Sequence, residues 1–429
     1  MKQTKKCVLF LLLMLSVNVA GTFGQLTLTD CQTKARENFP LIKKARLIEQ
    51  SKNFTLSNVS KAWLPQLQLK AQATYQSDVT SIEFPPQMQA AMGIDGFKVS
   101  KDQYQATMGI SQMLWDGGAT AAQRKMIRAD AEADLRQTDV EIYALEERIN
   151  QLFFGVLLCH VQLEQNQLLT DELQRNYDKI EQYVASGLAN QADLDGVKVE
   201  QLNAQQVRTQ ILATRKAWLE MLGMMIDEQL DENTELIQPK LPQEAPANLI
   251  QRPELQWFEA QNRMLDSQKS LLDAALMPKF GLFAQGGYGR PGLNMLSDKL
   301  DFFYIGGVQL SWNFGSLYTR KNDLRKIDIG KSTMETQREL FLYNTRLSIS
   351  RQNQEVQRLK ALMHDDDEII RLRENIRQAT AAKLANGTAT VTDLMRELTQ
   401  ENIAKQTKAT HEIDLLMAIY QLQILTNHE

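Results

Sequence analysis

Histidine and acidic residues are the side chains here most able to do chemistry, but their spacing predicts no catalytic or metal site. His364-Asp-Asp-Asp-Glu368 combines ligand-type residues, yet neighbouring residues of a helix point in different directions. We therefore expect a solvated helix face there. His160, His411 and His428 lack the spacing of zinc ligands. With no nucleophile–base arrangement and no phosphate-binding loop, the sequence predicts a protein that is not an enzyme and uses no cofactor.

Two aspartates recur at matching places. Asp193 follows Gly187 and Asp393 follows Gly387 at the same spacing, and a leucine comes next in both copies. An acidic side chain stabilises the start of a helix, so one interpretation places each aspartate in the first turn of a helix that returns after a glycine-containing turn.

Composition excludes two broad classes of protein. The chain has 429 residues, 43% of them hydrophobic and 23% charged, with a formal net charge of −4. A nucleic-acid partner would require a basic face for phosphates, so we expect none. The apolar content is also too high for a disordered chain.

Residues 1–24 have the pattern of a secretory signal peptide. Three lysines precede an apolar segment over 8–19, and small residues follow, which places cleavage after Gly24. No later apolar stretch reaches the ~18 residues of a membrane-spanning helix. Cys31 and Cys159 could form one disulfide, but we expect two unpaired, buried thiols.

The rest of the chain is an internal duplication. Pro40 and Pro65 recur as Pro253 and Pro278 with the same separation. The sequence therefore predicts a first repeat over 25–240 and a second over 241–429, with Pro239, Pro242 and Pro246 at the junction. In each repeat a helix starts at the first proline and ends before the second.

Each repeat then contains two segments in which apolar and polar residues alternate. The period of two predicts strands at about 67–76, 104–114, 279–289 and 303–314, each long enough to cross a bilayer at a tilt. Aromatic residues near their ends could form belts at the membrane interfaces, or could pack against the first helices: Tyr75, Tyr104, Tyr288, Tyr304 and Trp312.

Very long helices follow the strands. Segments 119–185 and about 317–384 contain no proline, and apolar residues in the first recur every seven residues from Leu135 to Leu163. This heptad pattern predicts coiled-coil packing. Each long helix turns at a glycine and returns, with seams that include Trp218 and Met225 in one repeat and Ile413, Met417 and Tyr420 in the other.

Four strands are too few to close a barrel, and their edges would stay unpaired. Three copies would supply twelve strands, which lies within the range of outer-membrane barrels. We therefore predict a mainly α protein with a small β part, in which three chains complete a β-barrel and their helical hairpins form an α-barrel.

In this order and spacing, the motifs resemble the outer membrane efflux protein family, the TolC-like channels. They are the signal peptide, the duplicated half, Trp115-Asp-Gly-Gly118, the two Gly-x5-Asp-Leu turns and Arg252-Pro-Glu-Leu255. The resemblance implies a homotrimeric duct in the outer membrane and periplasm, serving efflux or type I secretion. It also implies contact with outer-membrane lipid and two partners, a periplasmic adaptor and an inner-membrane pump or ABC transporter.

The resemblance also gives the turns a second interpretation, as the periplasmic tips where acidic residues narrow the pore. The residues concerned are Gly187, Asp193, Asp195, Gly387, Asp393 and Arg396. Arg396 stands where the family typically has a second acidic residue. Two other functions remain open, a periplasmic adaptor and a coiled-coil scaffold, although an adaptor has a single hairpin and a scaffold needs neither strands nor an export signal.

Overall fold

The computed structural model describes residues 26–93, 96–241 and 250–427. The predicted signal peptide, two of the junction prolines (Pro242 and Pro246) and His428 lie outside these residues. The chain divides into two compact units, one with residues up to 44, 138–253 and 340 onwards, and one with 45–137 and 254–339.

The first repeat begins with helices α1 (Leu28–Asn38) and α2 (Pro40–Ser60) and strand β1 (Gln66–Tyr75). Two short strands, β2 (Ser81–Glu83) and β3 (Gly96–Lys98), flank helix α3 (Pro86–Met92). Strand β4 (Asp102–Trp115) then leads to α4 (Ala119–Ala185) and α5 (Gln191–Ile226). These three short elements lie in the connection between β1 and β4, which is longer than the connection between β5 and β6.

The second repeat has the same order with fewer additions. It consists of α6 (Pro253–Ala275), β5 (Lys279–Arg290), β6 (Asp301–Ser311), α7 (Ser316–Ala385) and α8 (Val391–Thr426). Helices start at Pro40 and Pro253 as predicted. The last strand ends at Ser311 rather than at 314, so Trp312 follows the strand instead of lying in it.

The long helices have the predicted extent. Helix α4 contains 67 residues and α7 contains 70, which corresponds to roughly 100 Å each at ~1.5 Å per residue. Asp116 starts α4, since its carboxylate accepts hydrogen bonds from the amides of Gly118 (2.9 Å) and Thr120 (2.6 Å). These bonds satisfy donors that the first turn of a helix leaves unpaired.

The helical core follows the heptad seam in the middle of α4. Five seam residues are buried, Leu145, Ile149, Leu152, Val156 and Cys159. Cys31 and Cys159 are free and buried, as expected, and burial raises the pKa of the Cys31 thiol to about 12. The thiols therefore fill space and are not reactive at neutral pH.

The return seams differ from the prediction towards their ends. Leu219, Leu222 and Ile226 are buried, whereas Trp218 and Met225 are only half-buried. In α8, Met417 is exposed while Leu416 and Ile419, its near neighbours, are buried, as is Ile413. A straight helix drifts about 20° per heptad from a strict seven-residue repeat, so a seam extrapolated over several heptads misses by one residue.

The four long strands form one antiparallel sheet in the order β1-β4-β5-β6. Strands β2 and β3 form a separate two-stranded sheet. Strand β1 pairs only with β4 and β6 only with β5 within the described chain, which leaves the outer edge of each unpaired.

Replacing Gly117 or Gly196 with alanine should change the free energy of unfolding in opposite directions. Gly117 has a φ of +70°, and a Cβ there would lie 2.5 Å from that of Met277, whereas Gly196 in α5 has open space around it. Gly117→Ala should therefore lower the free energy of unfolding by more than ~1 kcal/mol, and Gly196→Ala should raise it by up to ~1 kcal/mol. Denaturant unfolding in detergent measures both, and a loss of similar size in the two variants would contradict the geometry.

Candidate functional site

The strand register separates an apolar from a polar sheet face. Leu69 pairs with Met108, Leu67 with Ile110 and Phe280 with Leu310. Because paired residues share a face and alternate residues repeat it, six apolar residues lie together on one face: Leu69, Ala71, Met108, Ile110, Leu282 and Leu310. The opposite face carries Gln72, whose amide donates to the side-chain oxygen of Gln105 at 3.2 Å, and also Gln285 and Gln309.

The apolar face of this sheet is highly exposed, whereas in a water-soluble sheet the apolar face is buried. Leu69 is 77% exposed, Met108 59% and Leu310 57%. In the two central strands, polar-face residues such as Gln105, Thr107 and Gln285 are less exposed than the apolar residues beside them. This pattern fits a sheet that curves towards its polar face and presents a large apolar surface outwards.

Aromatic residues lie near both ends of the sheet. Tyr75, Tyr104, Tyr288 and Tyr304 all lie on the apolar face, near the end of β1 and β5 and near the start of β4 and β6. All four are exposed, Tyr304 to 86%. At the opposite end, the rings of Trp115 and Phe280 are 5.8 Å apart, and the rings of Trp312 and Phe314 are 4.7 Å apart.

Trp312 differs from the tyrosines. Its indole nitrogen donates a hydrogen bond to the carbonyl of Leu276 at 2.9 Å, just beyond α6. The indole therefore contacts the segment that follows the first helix of its repeat, while half of its surface remains exposed at 51%.

The two hairpin turns have the same backbone design. Gly187 and Gly387 are left-handed, with φ of +77° and +69°, a conformation glycine adopts without the strain of a Cβ. The amide of Gly187 donates to the carbonyl of Val184, and that of Gly387 to Leu384, both at 3.0 Å. These bonds end α4 and α7 and turn the chain.

Asp193 and Asp393 take part in capping boxes. The Asp193 amide donates to the Asn190 side chain at 3.0 Å and its carboxylate accepts from the Asn190 amide at 3.0 Å. Thr390 and Asp393 repeat this exchange at 3.1 and 3.0 Å. Each aspartate thus starts the returning helix, as the first interpretation proposed.

Charge is distributed unequally between the two turns. Hydrogen bonds from the Thr390 hydroxyl and amide, with the charge of Arg396, lower the pKa of Asp393. Arg396 approaches Asp393 at 3.7 Å and donates to Glu397 at 3.1 Å. Asp195, which is exposed, accepts a hydrogen bond from Gln191 at 2.9 Å, and no cation approaches it within the described ranges. The first turn therefore carries the less compensated negative charge.

The structure brings the two turns together through one apolar cluster. Leu194 and Val197, at the start of α5, are buried in the same cluster as Val391, Leu394 and Leu398 at the start of α8. The sequence placed these residues on separate hairpins and gave no contact between them. The acidic residues of both turns are therefore held on a shared packed base.

A group of charged residues above this cluster was missed. Arg377 of α7 donates to Glu401 of α8 at 2.5 Å and lies 3.7 Å from Glu172 of α4. Lys405 reaches Glu401 at 2.7 Å and Glu374 at 3.0 Å. Burial alone would lower the pKa of Lys405, but these hydrogen bonds raise it overall. The sequence did contain one sign that Glu401 is buried. Glu401 is separated by multiples of seven residues from Leu394 and Leu415, which are buried apolar residues of the same helix.

The acidic run after His364 contains pairs rather than a metal site. Asp366 is buried and lies 2.8 Å from His411, and Asp367 accepts from Lys408 at 2.6 Å. Among the residues described, no cluster of three metal-type ligands is found. The expectation of a solvated face is wrong for Asp366, which faces α8 and has its own partner there.

With this geometry in place, comparison with known proteins is informative. Residues 32–222 match the sequence profile of the outer membrane efflux protein family. The predicted resemblance to this family is confirmed. The family match covers the first repeat from α1 to the end of α5, including the turn at Gly187 and strands β1 and β4.

Solved outer-membrane channels share the fold over nearly the whole chain. The outer membrane protein VceC of Vibrio cholerae is 13% identical, with a TM-score of 0.65 over 92% of this chain and 95% of that one. The open-state MtrE channel of Neisseria gonorrhoeae is 13% identical, with a TM-score of 0.66 over 93% and 88%. The predicted fold, long helices with a few strands per chain as in TolC-like channels, is confirmed.

A comparison with curated proteins found none that is significantly similar to the chain. Within residues 26–93, 96–241 and 250–427, no helix combines the length and apolar character required to cross a membrane.

The charged group around Glu401 should contribute to stability. Glu401→Gln removes the anion between Arg377 and Lys405 and should lower the free energy of unfolding by roughly 1–3 kcal/mol. The control is Glu355→Gln, which breaks an exposed pair with Arg358 and should cost under ~1 kcal/mol. Denaturant titration followed by circular dichroism compares them, and equal losses would show that burial of Glu401 is immaterial.

Proposed function

We propose that the chain is the outer-membrane exit duct of an efflux or type I secretion system and conducts its substrate passively. The observation that carries this proposal is the inverted sheet, whose large apolar residues are outward and exposed while its glutamines lie on the less exposed face. An apolar surface of that size is unfavourable in water. Strands of this length can cross a bilayer at a tilt, so lipid would contact the apolar face.

The unpaired edges of β1 and β6 support an assembly of three copies. Hydrocarbon contains no water to bind the free amide and carbonyl groups of a strand edge, so a sheet in a membrane must close. With four strands per chain, three copies form a twelve-stranded barrel, and their helical hairpins line a conduit through the periplasm. A periplasmic adaptor and an inner-membrane pump or ABC transporter supply the energy.

The hairpin turns are proposed as the periplasmic entrance of this duct. Three copies would bring together Asp193, Asp195 and Asp393 around one axis, and a ring of carboxylates favours cations in a narrow passage. Since Arg396 lies beside Asp393, Asp193 and Asp195 of the first turn contribute most of the uncompensated charge. The capping boxes give two of these aspartates a structural role as well.

Lipid contact is tested by placing a lysine on each sheet face. Leu282→Lys puts a charge on the apolar face, where burial in a bilayer costs up to ~2–4 kcal/mol, so we expect a clear loss of assembled protein in outer-membrane fractions. Gln285→Lys adds the same charge to the polar face and should assemble normally. Equal assembly of both variants would contradict the face assignment.

The charge of the entrance is tested by amide substitutions that preserve the caps. An asparagine oxygen still accepts the hydrogen bond of a capping box, so Asp193→Asn, Asp195→Asn and Asp393→Asn together remove charge with little effect on folding. We expect a weaker preference for cations in planar-bilayer recordings, with an unchanged melting temperature.

Asp171→Asn is the matched control. Asp171 accepts from Gln167 one turn earlier, at 2.8 Å, as Asp195 does from Gln191, but lies away from the turn. It should leave ion preference unchanged. If the triple variant also conducts like wild type, the three carboxylates do not set ion preference, and Asp193 and Asp393 serve only as helix caps.

A further inference from the structure

On the polar face of the sheet, two phenylalanine rings pack over glycines of the neighbouring strand. A Cβ at Gly287 would lie 2.5 Å from Cζ of Phe303, and one at Gly307 would lie 3.2 Å from Cε1 of Phe283. Each ring therefore covers the neighbouring strand at a position where a side chain would exclude it. The arrangement is a built feature of this face, because the glycines make room for the rings.

Phe303 lies in one row with a lysine. The register pairs Lys70 with Thr107, Thr107 with Gly287 and Gly287 with Phe303. Strands are ~4.8 Å apart, so the Phe303 ring over β5 lies about 10 Å from the backbone of Lys70, two strands away.

Lys70 is the isolated charge of this face. The other charged residues of the polar face in the four long strands, Lys279 and Asp301, occupy the first positions of β5 and β6. Lys70 is in the middle of β1, is exposed, and forms no ion pair with the residues that the structure describes. Lys70 and the half-buried Phe303 ring therefore lie in one row on one face of the sheet, with the buried Thr107 between them.

We propose that Lys70 and Phe303, on either side of Thr107, form a binding strip for small aromatic carboxylates or sulfonates in transit. The aromatic ring of the ligand stacks offset on Phe303, and its anionic group reaches the Lys70 ammonium. This proposal rests on the proposed function, which places the polar face in the lumen of the duct. Neither half of the strip suffices alone, since an exposed ion pair and a single ring contact are each weak.

Weak binding suits a duct. A site that conducts must attract its ligand enough to admit it and release it readily. The strip therefore predicts brief, concentration-dependent block by an aromatic anion, weaker block by an aliphatic anion of the same charge, and weaker block by an aromatic cation. These three probes separate the contribution of the ring from that of the charge.

The experiment is block of single-channel current by the purified full-length protein in planar bilayers. The probes are 2-naphthalenesulfonate, hexanesulfonate and benzyltrimethylammonium, added to the side at which β1 and β5 end. We expect 2-naphthalenesulfonate to block at the lowest concentration. Lys70→Gln and Phe303→Leu should each raise its half-blocking concentration about threefold or more, while unblocked conductance stays near that of wild type.

Lys279→Gln is the control, because it removes a lysine from the same face, eight residues before Gly287 in β5 and so closer to the helices. It should leave the block unchanged. Channels that form normally but are blocked equally by all three probes, or equally in the Lys70 and Lys279 variants, would overturn the strip and leave the duct intact. Failure of the wild type to form any channel would instead overturn the proposed function, and the strip with it.

Discussion

The hydrogen-bonding groups along the outer edges of β1 and β6 are the constraint on which the rest of this molecule depends. Each edge strand has one partner in the described chain, so a row of backbone amides and carbonyls remains open on each side of the sheet. In water such edges invite aggregation, and in hydrocarbon they are too costly to leave open. In the proposed duct, closure by further copies would answer both problems. Lipid would cover the apolar face, whose most exposed residues include Tyr304 and Leu69.

The hairpins solve a different problem, which is how to turn a helix of about seventy residues and keep its two arms together. A left-handed glycine ends each outgoing helix and a capping box starts each return, and the buried cluster of Leu194, Val391 and Leu394 joins the two turns. Charged residues then occupy positions that an unbroken apolar seam would fill. Glu401 holds Arg377 and Lys405 at such a position, so the seam near the turns depends on ion pairs as well as on packing.

Much of this architecture follows from local rules that a sequence displays directly. Proline marks helix starts at Pro40 and Pro253, alternation marks the strands, and the Gly-x5-Asp pattern marks both turns with their caps. The face assignment of the sheet also follows, since a period of two fixes which residues lie together once one pair is known. The duplication strengthened each of these inferences, because every element could be recognised twice.

What could not be predicted depends on geometry between distant segments. The partners of Glu401 and Asp366 come from different helices, and no local pattern specifies them. The seam at Leu219 and Leu416 departs from the heptad extrapolation because of accumulated helical drift. The placement of Phe303 over Gly287 requires the register of β5 against β6, which alternation alone leaves undetermined.

The most direct test of the account is the mass of the folded protein in detergent. Native mass spectrometry or light scattering should give three chains per particle, each of at most 48.9 kDa, with the circular dichroism of a helical protein. A particle that contains a single chain and keeps that circular dichroism would show that the sheet edges need no partner, and would contradict closure by three copies.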